Sequence, residues 1–126
     1  MSNREAKELA FLRHRLRAPA AMRIISGRFR GRVLPGSVGE GVRPATDKVR
    51  GAIFNILQNR LDIREIDVLD LFAGTGSLGL EALSRGAAHA IFVEKSRTAV
   101  EVIRENLRSL DLEQRATVIL GKVAFE

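Results

Sequence analysis

The chain of 126 residues contains no cysteine. Disulfide bonds and cysteine-based metal sites are therefore excluded, and the composition fits a reducing compartment. No apolar run approaches the roughly 20 residues that a membrane-spanning helix needs. The basic amino-terminus is not followed by the apolar segment of a secretory signal. We therefore predict a cytoplasmic location, no membrane partner and no metal site.

The positive charge of the chain is concentrated near its amino-terminus. The net charge is +6, but residues 1–32 carry nine basic and two acidic residues, whereas residues 33–126 carry twelve basic and thirteen acidic residues. Eight of the nine basic residues are arginine, which can bind phosphate through two parallel hydrogen bonds. This patch favours a polyanion such as nucleic acid, and the alternative is a solvated arm with no specific partner.

The first part of the chain divides into an extension and a hairpin. Residues 1–21 are predicted to be a basic, poorly ordered extension, although residues 5–12 could form a short helix that ends before Pro19. Residues 22–34 alternate basic and apolar side chains around two glycines, which predicts a small β-hairpin with a basic face. A glycine-rich loop follows, so residues 22–42 form a hairpin and loop ahead of residues 43–126.

The next segment has the pattern of a helix. Thr46 is a suitable N-cap, Asp47 lies in the first turn, and the helix should end near Arg60. Helical spacing places four apolar residues on one face, which we expect to be the inner face: Val49, Ile53, Ile56 and Leu57.

Strands and helices then alternate to the end of the chain. Apolar runs predict strands at 66–72, 90–94 and 117–120, with helices at 77–85 and 96–110 between them. The first strand is apolar at nearly every position, as in a strand that is covered on both faces. Short connections between the elements predict an α/β fold with a parallel βαβαβ sheet.

A glycine-rich turn follows the first strand directly. Gly74, Gly76 and Gly79 match the pattern G-x-G-x-x-G between a strand and a helix. Glu94 ends the second strand, where a carboxylate can accept hydrogen bonds from both ribose hydroxyls of an adenosyl group. The sequence therefore predicts a nucleoside-containing cofactor at this edge of the sheet.

Asp70 decides between two classes of cofactor. A dinucleotide would bring its pyrophosphate to this turn, and the carboxylate four residues before Gly74 would repel it. The same carboxylate would attract the sulfonium and ammonium groups of S-adenosylmethionine. We therefore predict a methyl donor, with a nucleotide-binding dehydrogenase domain as the alternative.

Three segments together resemble a known family. The run from Asp70 to Gly79, DLFAGTGSLG, resembles motif I of the class I S-adenosylmethionine-dependent methyltransferases. The runs RIISGRFRG at 23–31 and RPATDKVR at 43–50, with FNIL at 54–57, resemble the bacterial 16S ribosomal RNA guanine-N2 methyltransferases of the small subunit. The similarity covers residues 22–121.

The resemblance implies a Rossmann-like fold that transfers methyl groups from S-adenosylmethionine to the exocyclic N2 of a guanine in 16S rRNA, in the small-subunit particle. Within the site, Glu94 would hold the ribose and Lys95 would neighbour the adenine. The implied cofactor-binding residues are Thr46, Asp47, Asp70, Phe72, Ala73, Gly74, Thr75, Gly76, Gly79, Glu94 and Lys95. The implied RNA-binding residues are Arg23, Arg28, Arg30, Arg32 and Arg43.

The sequence departs from this family in two places. Lys122 follows Gly121 where the family usually has an acidic residue, so a contact to the adenine amine through that position is not expected. The Asp- or Asn-Pro-Pro-aromatic motif that binds the acceptor amine is absent from the 126 residues, so no catalytic residue is assigned. We expect the chain to be the amino-terminal portion of a methyltransferase domain, without turnover and with the first strand at the sheet edge. The alternative is a non-catalytic RNA-binding fragment.

Overall fold

The computed structural model describes residues 2–7, 22–34 and 46–124. Residues 3–7 are helical. The remainder of the predicted amino-terminal extension, the glycine-rich loop and Arg43 lie outside the described residues.

The described chain from residue 46 onward is an alternating α/β unit. Helix α1 is followed by strand β1, helix α2, strand β2, helix α3, a short 3-10 turn at Glu113–Arg115 and strand β3. The bounds are Asp47–Arg60 for α1, Asp67–Leu71 for β1, Ser77–Ser84 for α2, His89–Glu94 for β2, Arg97–Ser109 for α3 and Ala116–Leu120 for β3.

The three strands form one parallel sheet in the order β1-β2-β3. Asp67 pairs with His89 in β2, and Ala90 of β2 pairs with Ala116 of β3. The predicted α/β class and the parallel βαβαβ arrangement are confirmed. Because all three strands run in the same direction, the glycine turn after β1 and Glu94 at the end of β2 lie at the same edge of the sheet.

Side-chain and glycine caps set the ends of the helices. The hydroxyl of Thr46 accepts a hydrogen bond from Val49 N at 3.2 Å, and that of Ser96 accepts one from Ala99 N at 3.3 Å. Gly86, just after α2, has a φ of 111°, in the region where glycine is favoured. These local signals explain why the predicted helix bounds agree closely with the observed ones.

The core lies between one face of the sheet and helices α2 and α3. Phe92 in the central strand is fully buried and packs in the same cluster as Leu80, Leu83, Ile103 and Leu107. The alternating burial along β2 follows from the two-residue period of a strand.

The opposite face of the sheet is apolar and open to solvent over the described residues. Leu69 is 59% exposed, Leu71 is 37% exposed and Ile119 is 44% exposed. The expectation that the first strand is covered on both faces is therefore wrong for the described chain, because α2 and α3 pack against one face only. β1 is an edge strand of the described sheet, and an apolar groove of about 320 Å³ runs beside it.

Helix α1 does not bury the predicted apolar face. Val49, Ile56 and Leu57 are exposed, and Ile53 is half-buried. The buried residues are Arg50 and Phe54, which lie four positions apart on another face of the helix. Arg50 donates to Arg23 O at 2.6 Å, so hydrogen bonding draws its guanidinium inward in place of the apolar residues.

The predicted hairpin at residues 22–34 is present in a short form. Arg23 and Val33 form an antiparallel bridge, and hydrogen bonds join Ile24 N to Arg32 O at 2.9 Å and Leu34 N to Met22 O at 2.9 Å. Met22, Ile24 and Leu34 are buried in the main core. Across the described residues, none of the helices has the length and apolar character that crossing a membrane requires.

Candidate functional site

One backbone hydrogen bond joins the glycine-rich turn to the end of β2, and a second lies within the turn. Ala73 N donates to Val93 O at 3.0 Å, and Gly76 N donates to Ala73 O at 2.8 Å. Helix α2 begins immediately afterwards at Ser77. Its first amide groups therefore lie at the carboxyl edge of the sheet, which is where ligands bind in open α/β folds.

The first two glycines of the motif adopt backbone conformations that favour glycine. Gly74 has a φ of 57°, and among the described residues no atom, apart from those of its two chain neighbours, lies within 4 Å of the position that a Cβ would occupy. Gly76 has a φ of 81° and caps α2, with its Cβ position 3.2 Å from Ile103 Cγ1. Gly74 therefore leaves open space beside the backbone, whereas Gly76 turns the chain into a packed helix.

The third glycine serves packing between α2 and β2. A Cβ on Gly79 would lie 2.3 Å from Cε1 of the buried Phe92 ring. The close contact of helix and strand thus requires glycine at this position. It is the packing role that the third glycine has in dinucleotide-binding turns.

Asp70 occupies a buried position at the mouth of the turn. Asp70 is 8% exposed, and its Oδ2 accepts a hydrogen bond from Gly79 N at 3.1 Å. The structure thus brings the predicted Asp70 and the glycine turn into direct contact.

The pKa of Asp70 reports the electrostatics of the site. Burial raises the pKa of Asp70 to about 6, the hydrogen bond from Gly79 N opposes this rise, and the nearby carboxylate of Glu94 adds to it. Two carboxylates thus act on each other at the end of the strands. Such a site favours a cationic ligand and disfavours a diphosphate.

Glu94 connects the glycine turn to the start of α3. Its Oε1 accepts a hydrogen bond from Gly74 N at 3.2 Å, and its Oε2 accepts one from Ser96 N at 2.7 Å. Glu94 as a whole is half-buried. Its carboxylate therefore lies within hydrogen-bond distance of the Gly74 backbone, where the sequence predicts a ribose contact.

The remaining predicted residues of the turn differ in their placement. Phe72 has a φ of 58° and is 65% exposed, a strained backbone conformation for a bulky residue. The hydroxyl of Thr75 is buried and donates to Met22 Sδ at 3.4 Å, so its side chain faces the hairpin. Ala73 is buried, and Lys95 is exposed next to Glu94.

Thr46 and Asp47 have local contacts at the start of α1. Besides the cap formed by Thr46, Asp47 Oδ1 accepts a hydrogen bond from Arg50 Nη2 at 2.7 Å. Both residues are exposed. Their predicted position facing the cofactor pocket stays a prediction.

The four described arginines of the hairpin are all exposed: Arg23, Arg28, Arg30 and Arg32. Residues 22–34 contain no acidic residue. Arg28 lies over the ring of Phe29 at 5.2 Å from its centroid, and Phe29 packs partly against the core. The hairpin therefore presents a basic surface.

Sequence reasoning missed three buried polar residues beneath the hairpin: Arg50, Glu81 and Ser84. The Glu81 carboxylate accepts hydrogen bonds from Ile25 N at 2.9 Å and Ser26 N at 3.1 Å. A glutamate inside the apolar run from Leu78 to Leu83 is a signal that could have found this contact.

A family model described as conserved hypothetical protein 95 matches residues 22–125. The chain belongs to this family. The match covers the hairpin, the glycine turn and all three strands. The open side of Gly74 and the two carboxylates are therefore features of a member of the conserved hypothetical protein 95 family.

Curated relatives of this family member are named as ribosomal RNA methyltransferases. The chain is 47% identical over 104 residues to "Ribosomal RNA small subunit methyltransferase D" of Escherichia coli strain K12, which covers 82% of this chain and 52% of the relative. It is 38% identical over 109 residues to the protein of the same name from Haemophilus influenzae, covering 86% of this chain and 55% of the relative. The chain thus spans about half the length of the curated relatives it matches.

Solved structures give the same fold. The structure described as "Putative methyltransferase yhhF from Escherichia coli" matches with a TM-score of 0.70 and 41% identity, covering 82% of this chain and 54% of that one. A hypothetical protein of Thermus thermophilus matches with a TM-score of 0.69 and 39% identity, covering 81% of this chain and 56% of that one. The predicted resemblance to methyltransferases with a Rossmann-like fold is confirmed.

Proposed function

We propose that this chain forms the S-adenosylmethionine-binding part of a methyltransferase that acts on the exocyclic N2 of a guanine in 16S rRNA. One observation carries the choice of cofactor: the buried Asp70 has another carboxylate, Glu94, as its charged neighbour at the end of the strands. The relatives named ribosomal RNA small subunit methyltransferase D support the choice of substrate.

The described residues fit an adenosyl ligand with a cationic end. Gly74 leaves room for the ligand beside the backbone, and Glu94 next to it can accept hydrogen bonds from ribose hydroxyls. Asp70 provides the negative charge that offsets a sulfonium or ammonium group. Lys95 would neighbour the adenine, and the other proposed contacts are Thr46, Asp47, Phe72, Ala73, Thr75 and Gly76. Gly79 would serve the site through its packing against Phe92.

S-adenosylmethionine supplies an electrophilic methyl group when it is bound. The residues of the site would hold the two ends of the cofactor so that its methyl group faces the incoming amine. Correct orientation provides much of the rate enhancement in such a displacement. Asp70 and Glu94 hold two different parts of the ligand, which fixes its direction along the edge of the sheet.

The basic hairpin would supply the RNA contacts. Arg23, Arg28, Arg30 and Arg32 are exposed on a segment without acidic residues, and arginine is suited to phosphate. We propose the same role for Arg43. A bacterial enzyme that acts on ribosomal RNA would work in the cytoplasm.

The 126 residues should bind cofactor without transferring its methyl group. The expected reason is that the sequence contains no Asp- or Asn-Pro-Pro-aromatic run, which would accept hydrogen bonds from the guanine amine. Incubation with methyl-labelled S-adenosylmethionine and unmethylated small ribosomal subunits measures this directly. Label in the 16S rRNA would contradict the expectation.

Replacing Glu94 by glutamine should weaken S-adenosylmethionine binding by at least about tenfold. A hydrogen bond to a charged group contributes about 1.5–3 kcal/mol, and glutamine loses the charge and one of the two acceptor oxygens. Isothermal titration with S-adenosylmethionine provides the measurement. The control is Glu105→Gln, on the exposed side of α3, which should bind like the parent. Equal affinities for both variants would argue against a ribose contact at Glu94.

A non-catalytic RNA-binding module is the second candidate. The observation that favours it is the exposure of all four described hairpin arginines. Salt-dependent RNA binding without affinity for S-adenosylmethionine would support this candidate against the first.

A further inference from the structure

The basic hairpin is attached to helix α2 by a cluster of hydrogen bonds. Backbone amides of Ile25 and Ser26 donate to the Glu81 carboxylate at 2.9 and 3.1 Å. Arg28 N donates to Ser84 O at 2.8 Å, and Phe29 N donates to Ser84 Oγ at 3.0 Å. Four backbone N–H groups of the hairpin thus donate hydrogen bonds to two residues of one helix.

Both helix residues are positioned for this contact. Glu81 and Ser84 are three residues apart, so they lie on the same face of α2. Glu81 is 0% exposed, and its Oε2 also accepts a hydrogen bond from Arg85 Nε at 2.8 Å. Ser84 Oγ donates to Ser26 O at 2.7 Å. Charge-assisted hydrogen bonds of this kind are roughly twice as strong as neutral ones, and losing one partner would leave a buried charge uncompensated.

Gly27 fits directly against the end of the same helix. A Cβ on this residue would lie 2.1 Å from Ser84 O, and the backbone φ is 89°. Gly31 in the same hairpin has a φ of 84°, but no atom of the part of the chain that the structure describes, its two chain neighbours aside, lies within 4 Å of its Cβ position. The two glycines therefore share a backbone conformation and differ in their contact with α2.

Helix α2 connects the hairpin to the cofactor turn. Its eight residues span about 12 Å at 1.5 Å per residue. Its first turn is held by the bond from Gly79 N to Asp70, whereas its last turn holds the hairpin. Thr75 in the glycine turn also donates to Met22 at the start of the hairpin.

We propose that Glu81 and Ser84 are positioning residues that hold the hairpin in a fixed place relative to the cofactor turn, so that its arginines form a preformed RNA-binding surface. The proposal rests on the proposed RNA-binding role of the hairpin. A hairpin that is already ordered loses less conformational entropy when RNA binds than a free arm would lose.

The test compares Gly27→Ala with Gly31→Ala in the full chain, using a 16S rRNA transcript and S-adenosylmethionine as separate probes. Both variants have the same backbone strain, but only Gly27→Ala pushes the hairpin off Ser84. We expect Gly27→Ala to bind the transcript at least about tenfold more weakly than Gly31→Ala, which corresponds to about 1.4 kcal/mol. Both variants should bind S-adenosylmethionine with the affinity of the parent. This control matters because a general folding defect would lower the affinity for RNA and for S-adenosylmethionine alike.

Limited proteolysis with trypsin provides a second measurement. Cleavage after Arg28 and Arg30 should be faster in Gly27→Ala than in Gly31→Ala, because an undocked hairpin is accessible. Equal RNA affinity and equal cleavage in the two variants would overturn the proposal.

If Gly27→Ala does not fold, the milder variant Ser84→Ala tests the proposal. Ser84→Ala removes only the hydroxyl that binds Ser26 O and Phe29 N, and it should weaken RNA binding with cofactor affinity unchanged. Parental RNA affinity in a folded Ser84→Ala would contradict the proposal. If the parent chain itself shows no salt-dependent binding to the transcript, the proposed function of the hairpin is what fails.

Discussion

Asp70→Asn should abolish measurable binding of S-adenosylmethionine at pH 7.5 and at the same time make the protein more stable. Asparagine has nearly the same shape and can still accept the hydrogen bond from Gly79 N, but it carries no charge. The affinity falls because the cationic ligand loses its buried counter-charge. The stability rises because the free protein no longer contains a buried carboxylate next to Glu94.

The pH dependence of this effect follows from the raised pKa of Asp70. The folded protein binds a proton at Asp70 up to a pH of about 6, whereas the ordinary value is 3.8. The contribution of Asp70 to the free energy of unfolding is therefore fully present below 3.8 and is lost as the pH rises to about 6. A shift of this size corresponds to about 3 kcal/mol, which is an upper bound for the gain in Asp70→Asn at pH 7.5.

Urea unfolding and calorimetric titration at pH 5.0 and pH 7.5 test both halves of this prediction. The stability advantage of Asp70→Asn should be smaller at pH 5.0 than at pH 7.5. In the parent, S-adenosylmethionine should bind more weakly at pH 5.0, with proton release on binding. Asp67→Asn is the matched control, since Asp67 is exposed at the other end of the same strand. Parental affinity in Asp70→Asn would contradict the assigned role.

Gly79→Ala should lower the stability of the protein, whereas Gly74→Ala should lower its affinity for the cofactor, although both glycines belong to one motif. In Gly79→Ala the new Cβ meets the buried Phe92 ring at 2.3 Å. Overpacking of this kind costs about 1–3 kcal/mol, which outweighs the gain of about 1 kcal/mol that alanine normally brings to a helix. In Gly74→Ala the new Cβ enters open space, so the main effect should be on the ligand.

Thermal unfolding and cofactor titration of the two variants separate these effects. Gly79→Ala should lower the melting temperature by several degrees, since the overpacking less the helix gain leaves a net loss of up to about 2 kcal/mol in a domain of this size. The melting temperature of Gly74→Ala should lie close to that of the parent, lowered only by the strain that a φ of 57° imposes on alanine. This variant should lose affinity for S-adenosylmethionine. The reverse pattern would show that Gly79 contacts the ligand and that Gly74 serves packing.

Local sequence signals accounted for most of the described secondary structure. The caps at Thr46 and Ser96 and the glycine at position 86 fixed helix ends because each acts through neighbouring backbone groups. The alternation of strands and helices was sufficient for the parallel sheet. Since parallel strands end at the same edge, the sequence could also place Asp70, Gly74 and Glu94 together.

Side-chain directions that depend on distant partners could not be predicted in this way. Helical periodicity predicts that the apolar residues of α1 face inward. Arg50 is buried instead, because its guanidinium donates to Arg23 O in the hairpin and its Nε lies 4.0 Å from Glu81 Oε1. Thr75 is part of the cofactor motif, yet its hydroxyl faces Met22, 53 residues earlier in the chain. Periodicity and motifs can flag a polar residue in an apolar run, but they do not identify the distant partner that it contacts.

Titration of the chain with S-adenosylmethionine and with NAD at pH 7.5 tests the choice of cofactor most directly. We expect one binding site for S-adenosylmethionine, no detectable heat for NAD, and loss of the S-adenosylmethionine signal in Asp70→Asn. Binding of NAD at comparable affinity, with its pyrophosphate at the glycine turn, would contradict it.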